Sequence, residues 1–384
     1  PWNIFTNGGT GMVVDDYRDG VTQEALDYIY TDLVMSGKTS TEVFNLTFKS
    51  DWENYGVAIP SASEGVQVAI GAEHRVEKMA NFPDDNYRTG NATGQGGGTP
   101  KVKASYNVTE AFIELLVPIV QDAKGFQDLS LELGYRYSDY STSGGVSAYK
   151  AQLSWAPTQS WRLRGGYNRA VRSPNLWELY SPQRFGLGGS ADICSGPTPT
   201  ATAAQCANTG VLPGQYGNIA PNPADQYNTL GGGNPDLIPE TADTLTAGLV
   251  WTPQSIPGLS VTLDYYNSDI TDTIGILGAD NIIQQCANTG DPALCDLINR
   301  DQFGTLWFSP SLAGGGYTEV TTQNIGELGA EGVDVNFNYM IGLGNAGFLP
   351  IDLNGSYMME SSFANPLVNY DCVGYFGFQC GPSQ

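Results

Sequence analysis

The stretch that decides the fold is Leu129-Ser130-Leu131-Glu132-Leu133-Gly134-Tyr135-Arg136-Tyr137. Its odd positions are aliphatic or aromatic, and its even positions are polar, charged or glycine. That two-residue period suits a strand with one apolar and one wet face. The same alternation recurs over Tyr149–Trp155, Trp161–Tyr167, Leu245–Trp251, Leu259–Tyr265, Val333–Tyr339 and Ile351–Tyr357. Weaker versions precede it at Phe44–Phe48, Val66–Ala72 and Ala111–Val117. This gives roughly ten strands of about ten residues, the length a tilted strand needs to cross a bilayer.

Composition narrows the class. Of 384 residues, 48 are Gly and 22 are Pro, aromatics are 11%, and charged residues are only 15%. Helical bundles and coiled coils need more charge and less glycine. The formal net charge is −23, from 17 Lys+Arg against 40 Asp+Glu, so a phosphate backbone is repelled and no nucleic-acid partner is expected. The longest apolar run, Ala111–Val120, is broken by Glu114 and Pro118, too short for a spanning helix. A closed barrel needs no such helix.

Connections sort by side. Short ones cover 121–128, 157–160, 253–258 and 342–347, and long ones cover 1–40, 79–105, 173–242, 271–317 and 362–384, with 138–147 as the exception. Short turns at one end and long loops at the other describe an all-β, antiparallel transmembrane barrel with extracellular loops. Trp155, Trp161 and Trp251 fall at the short-turn ends, where an interfacial aromatic belt sits. The polar faces carry Glu132, Arg136, Lys150, Arg162, Arg164, Asp264, Asp334 and Asp352, which suit a wet lumen better than a sealed core. Thr22 followed by Leu26, Ile29, Tyr30 and Leu33 predicts a short loop helix over 22–35.

Six cysteines form three close pairs in the long loops: Cys194 with Cys206, Cys286 with Cys295, and Cys372 with Cys380. Local pairing staples each loop in an oxidising compartment, although six cysteines permit 15 connectivities. No Cys-x-x-Cys occurs and the one histidine is His74, so no metal site is expected. The nucleophile-elbow and zinc-protease motifs are absent, and neither a catalytic set nor a cofactor is expected.

Two segments resemble the barrel of TonB-dependent outer-membrane receptors. One runs Leu163-Arg164-Gly165-Gly166-Tyr167-Asn168-Arg169-Ala170-Val171-Arg172-Ser173-Pro174-Asn175-Leu176-Trp177-Glu178-Leu179-Tyr180-Ser181-Pro182. The other is Gly233-Asn234-Pro235-Asp236-Leu237-Ile238-Pro239-Glu240-Thr241-Ala242-Asp243-Thr244, and Asn324–Asp334 resembles a later strand of the same family. The resemblance implies a roughly 22-stranded barrel around an N-terminal plug. About ten strands are present here, with no plug-like segment and no energy-coupling box. Residues 1–384 therefore read as a partial barrel domain, a middle-to-late piece of a receptor.

The resemblance implies active uptake across the bacterial outer membrane. A scarce nutrient (an iron–siderophore chelate, cobalamin or an oligosaccharide) binds the extracellular loops and is imported with TonB-coupled energy through the plug. The partners implied are outer-membrane lipid, the TonB complex and the small ligand. In loop 173–242, Trp177, Tyr180, Arg184, Tyr216 and Tyr227 are candidates for ligand contact. Arg162, Arg164 and Arg172 can line the path, grip a plug or pair with lumen acids. A passive porin-like channel is a second reading. A secreted acidic β-sandwich or glycoside hydrolase is a third, and it demands apolar strand faces buried between stacked sheets.

Overall fold

The computed structural model describes residues 27–28, 30–92, 97–189, 191–377 and 380. In chain order the strands begin with β1 (Met35–Asp51), β2 (Gln67–Pro83), β3 (Val102–Ala123), β4 (Phe126–Tyr140), β5 (Gly144–Thr158) and β6 (Trp161–Arg172). The chain then leaves through β7 (Arg184–Gly188) and β8 (Tyr227–Gly232), and returns in β9 (Glu240–Trp251) and β10 (Leu259–Gly275). A second excursion holds β11 (Ile298–Asn299) and β12 (Tyr317–Thr321). Last come β13 (Gln323–Gly342), β14 (Phe348–Ala364) and the short β15 (Asn369–Asp371).

An eleven-stranded sheet has the order β1-β2-β3-β4-β5-β6-β9-β10-β13-β14-β15. Every neighbouring pair in it is antiparallel. All the alternating stretches of the sequence lie in it, apart from Val66, one residue short of β2. It is open: β1 and β15 are its two edges. The strands run further than the alternation at the loop side. β1 starts at Met35, β2 reaches Pro83, β3 starts at Val102, β10 reaches Gly275 and β14 reaches Ala364. These extensions carry mixed side chains, so the two-residue period does not mark them. Much of the expected helix (22–26 and 29) lies outside the described residues. Asp27 and Tyr28 are helical, but residues 30–34 are not, and Leu33 leads straight into β1.

Cross-strand register keeps one face apolar throughout. Leu163 pairs with Leu249, which pairs with Leu263, which pairs with Val335, which faces Gly355. This face is exposed: Phe44, Leu46, Phe48, Leu153, Leu245 and Leu353 are all open. A single sheet with an uncovered apolar side is what lipid requires and a sandwich forbids. At the turn ends Trp161 stacks on Trp251 at 5.5 Å, and the Trp155 indole donates to the carbonyl of Gly125 at 3.0 Å. Gly125 itself sits at φ +79° in the tight return from Ala123 to Phe126, a conformation glycine adopts without strain.

At the other end the two long excursions fold together. They contribute a four-stranded sheet ordered β11-β12-β8-β7, in which β12 and β8 run parallel. Among the described residues, five helices of four or more residues belong to the loops: α1 (Asp85–Thr89), α2 (Leu176–Tyr180), α3 (Ala203–Asn208), α4 (Ala279–Thr289) and α5 (Pro292–Cys295). This layer carries most of the buried residues, including Ile282, Leu306, Ile219 and Tyr227.

Candidate ligand site at the loop-side mouth

The two family-like segments interlock at the root of the first excursion. Asn175 caps α2: its side chain accepts from the amides of Trp177 and Glu178 at 2.9 Å, while Glu178 accepts from the Asn175 amide at 2.8 Å. That reciprocal arrangement satisfies the free donors of a helix start. Glu178 also receives Arg172 at 3.1 Å, and Arg172 grips Glu240 with two bonds of 2.5 and 2.7 Å. Glu240 accepts the Ile274 amide at 2.7 Å, and the Asn234 amide donates to the Glu178 carbonyl at 2.9 Å. Asn324 closes the set by donating to the carbonyls of Ile238 and Asp272.

Below this network, Leu176, Leu179 and Leu237 are buried against Tyr106 of β3, with Met79 and Tyr140 beside them. Register puts Tyr106, Met79 and Tyr140 on the polar side of the sheet. The apolar side of α2 is therefore seated on the inner wall, and Trp177 is left 49% exposed.

Trp177 lines a recess of about 720 Å³ together with Arg184, Tyr87, Asn81, Ser181 and Thr322. Arg184 donates to Thr99 at 3.3 Å across the floor between β7 and the 84–101 loop. An indole face, a guanidinium and several hydroxyls can stack a flat group and hydrogen-bond its rim. Of the five ligand candidates from sequence, Trp177 and Arg184 are brought together here. The other three are placed elsewhere. Tyr180 packs on the α2 cluster, Tyr216 donates to the Ala201 carbonyl at 2.9 Å, and Tyr227 is 1% exposed in the loop core. Tyr87 and Asn81 carried no sequence signal, because nothing local says that they line one recess with Trp177.

The eight charged candidates on the strands, Asp352 included, all share the inner face. Arg136 pairs with Glu110 at 3.0 Å and lies over the Phe112 ring; Lys150 pairs with Glu132 at 2.6 Å; Arg162 pairs with Asp128 at 3.3 Å. Arg164 makes a two-pronged pair with Asp264 at 3.0 and 2.6 Å, and Asp334 accepts from Ser356 at 2.6 Å. Arg164 and Asp264 are not on adjacent strands. Gly248 lies between them in register, and a Cβ there would stand 2.0 Å from the Asp264 carboxylate. Lys150 likewise reaches over Gly134 to Glu114 at 3.9 Å. The Arg164–Asp264 pair lines a recess of about 520 Å³ together with Glu132, Arg162, Asp334 and Ser154. Glu110 is buried, but the other paired groups are a quarter or more exposed, and pairs of that kind are worth about 0–1 kcal/mol, so they make a polar wall rather than a stability core.

The loop layer has its own supports. Disulfides join Cys194 to Cys206, Cys286 to Cys295 and Cys372 to Cys380. Arg300 and Asp192, 4% and 6% exposed, pair at 2.6 Å; Arg300 also donates to the carbonyls of Thr209 at 3.0 Å and Gly304 at 2.8 Å. The Tyr227 hydroxyl donates to Asp280, and burial together with that bond pushes it well above the ordinary tyrosine range. Asp84, just past β2, is held below the usual carboxylate range by the amides of Tyr87 and Val34. Among the described residues, no cluster of His, Cys, Asp or Glu is placed to hold a metal. None of their helices is long and apolar enough to cross a membrane.

Residues 3–371 match the family model described as TonB dependent receptor-like, beta-barrel. The chain belongs to the TonB-dependent receptor β-barrel family. Comparison with curated proteins returns no match. Among solved structures, the siderophore receptor PirA from Acinetobacter baumannii aligns with a TM-score of 0.50 at 14% identity, over 84% of this chain and 37% of that one. A mutant of the ferric enterobactin receptor PfeA from Pseudomonas aeruginosa aligns at 0.49 and 16% identity, over 86% and 38%. The hemophore receptor HasR of Serratia marcescens, a double mutant in complex with its hemophore HasA and heme, aligns at 0.48 and 14%, over 86% and 43%. The chain thus spans less than half the length of these structures. TonB-dependent receptors are outer-membrane transporters, and the open sheet is a partial barrel of that kind.

Proposed function

We propose that this partial barrel belongs to a bacterial outer-membrane receptor that captures a scarce nutrient at its loop-side mouth and imports it with TonB-coupled energy. The long loops face the exterior and the short turns face the periplasm. The observation that carries this reading is the recess under Trp177 and Arg184. It is walled by folded loops that dock on the inner face of the barrel, so the mouth is built to hold a ligand. The exposed apolar strand faces speak against the secreted sandwich. The candidate cargoes remain an iron–siderophore chelate, cobalamin or an oligosaccharide, with Trp177 as the stacking surface and Arg184 as the polar anchor. The charged inner wall faces the plug of the complete receptor.

The test is growth of a strain lacking the full receptor gene on limiting iron, cobalamin or oligosaccharide. One nutrient class should be lost and restored by the wild-type gene. Trp177→Ala and Arg184→Gln should each raise the ligand concentration for half-maximal uptake about tenfold, or ~1.4 kcal/mol, without lowering receptor abundance. Uptake that persists without TonB, or that ignores both substitutions, overturns the reading.

A further inference from the structure

The chain has seven lysines, and four of them (Lys38, Lys78, Lys101 and Lys103) lie in one corner. The register shows how tightly three are grouped. Lys38 pairs with Ala80, which pairs with Lys103; one row nearer the turns, Ser40 pairs with Lys78, which pairs with Ser105. Lys38 and Lys103 therefore stand about 10 Å apart across two strand spacings, and Lys78 lies between them about 7 Å further along. Ala80, Ser40 and Ser105 are small, and the lysines rim a recess of about 360 Å³. Three ammonium groups and two hydroxyls around a recess of that size suit a tetrahedral oxyanion.

The same register fixes the side of the sheet. Below the lysine rows on this face come Glu42, Val76 and Asn107, then Phe44, His74 and Thr109, then Leu46, Ala72 and Ala111, then Phe48, Ile70 and Ile113. This is the exposed apolar face. The lower lysine row stands four residues above Phe44, roughly 10 Å along a tilted strand, which is headgroup depth if the apolar rows sit in acyl chains. The corner is also under-compensated. Glu42 takes Lys78 at 2.6 Å, and Lys103 leans over the Phe82 ring at 5.3 Å. Neither Lys38 nor Lys103 joins an ion pair among the described residues. Lower-lying Arg169 on this face, by contrast, is held by Asp243 at 2.6 Å. A cationic patch in a chain of net charge −23 calls for an anionic partner.

We propose that Lys38, Lys78 and Lys103 bind the phosphate of an anionic membrane lipid on the outer face of β1–β3 at the loop side. The proposal rests on the membrane placement made above. Lysine suits this task because its compact ammonium meets phosphate as a point charge while its stem lies along apolar surface.

The experiment uses the full receptor chain in detergent and native mass spectrometry, titrating phosphatidylglycerol against phosphatidylcholine. Wild-type protein should prefer phosphatidylglycerol, and inorganic phosphate at equal concentration should not displace it. Each of Lys38→Gln, Lys78→Gln and Lys103→Gln should cut that preference about fivefold, and the triple variant about a hundredfold, from ~1 kcal/mol per lysine. The control Lys49→Gln/Lys124→Gln, at the opposite end, should leave it unchanged. An unaltered preference in the triple variant overturns the site, and displacement by inorganic phosphate overturns the lipid as its occupant. Wild-type protein that stays monodisperse without detergent overturns the membrane placement instead, a separate failure.

Discussion

Arg300→Ala tests whether the two long loops act as one body. Arg300 comes from the second excursion and Asp192 and Thr209 from the first, and both charged side chains are almost fully buried. Removal of the guanidinium strands the Asp192 carboxylate and leaves the carbonyls of Thr209 and Gly304 without their donor. Breaking a buried pair by deleting one partner costs about 3–5 kcal/mol, because a charge is left without compensation. At ~1.4 kcal/mol per decade, amide exchange in the segments around 192–211 and 297–306 should accelerate by about two to three and a half orders of magnitude. Hydrogen–deuterium exchange on the detergent-solubilised full receptor reads this directly, with the strands of the large sheet as internal control. The Asp192→Asn/Arg300→Met double variant should recover most of the protection, since no buried charge then remains. Unchanged exchange in Arg300→Ala, or a double variant as damaged as the single, refutes the reasoning.

Gly248→Ala should destabilise the barrel by about 1–3 kcal/mol, read as a lower heat-modification midpoint, because its methyl collides with the Arg164–Asp264 pair; adding Asp264→Ala should restore most of the loss. Tyr227 is protonated in the folded loop layer, and its folded pKa lies above the ordinary value of about 10. Its contribution is therefore intact below that pH and is lost as pH climbs beyond it, so tyrosinate absorbance and loop exchange should rise together, and Tyr227→Phe should lack that step. Asp84 runs the other way. With its folded pKa lowered, its hold on the Tyr87 and Val34 amides is present above the ordinary value of about 3.9 and fades as pH falls toward the folded one. Exchange at the Tyr87 amide should then rise in acid for wild type and be already high, without that dependence, in Asp84→Asn.

The large sheet was legible because its signal is local: Leu129 to Tyr137 alternates whatever lies far away, and lipid on one side with water on the other keeps the alternation clean. The loop layer was not. β11 has two residues, and β8 finds its parallel partner β12 only after the chain has crossed β9 and β10. No window of sequence contains that pairing. The loop aromatics show the same limit. Trp177 and Tyr227 look alike as exposed-loop candidates, yet one faces the recess and the other is sealed by Ile282 and Leu306. Arg300, the central tie of the layer, reads in sequence as an isolated loop arginine. The disulfide partners were readable because each closes a short local loop.

The grip of Arg172 on Glu240 and Glu178 has a consequence for how such a receptor can change its diet. It joins the two ends of the first excursion at the barrel rim, so the ring-closure entropy is met at the base and grows only slowly with what is inserted above. Residues between the clasp and the tip can be lengthened, shortened or exchanged while the strands beneath keep their alignment, and new cargo can be courted without rebuilding the vessel.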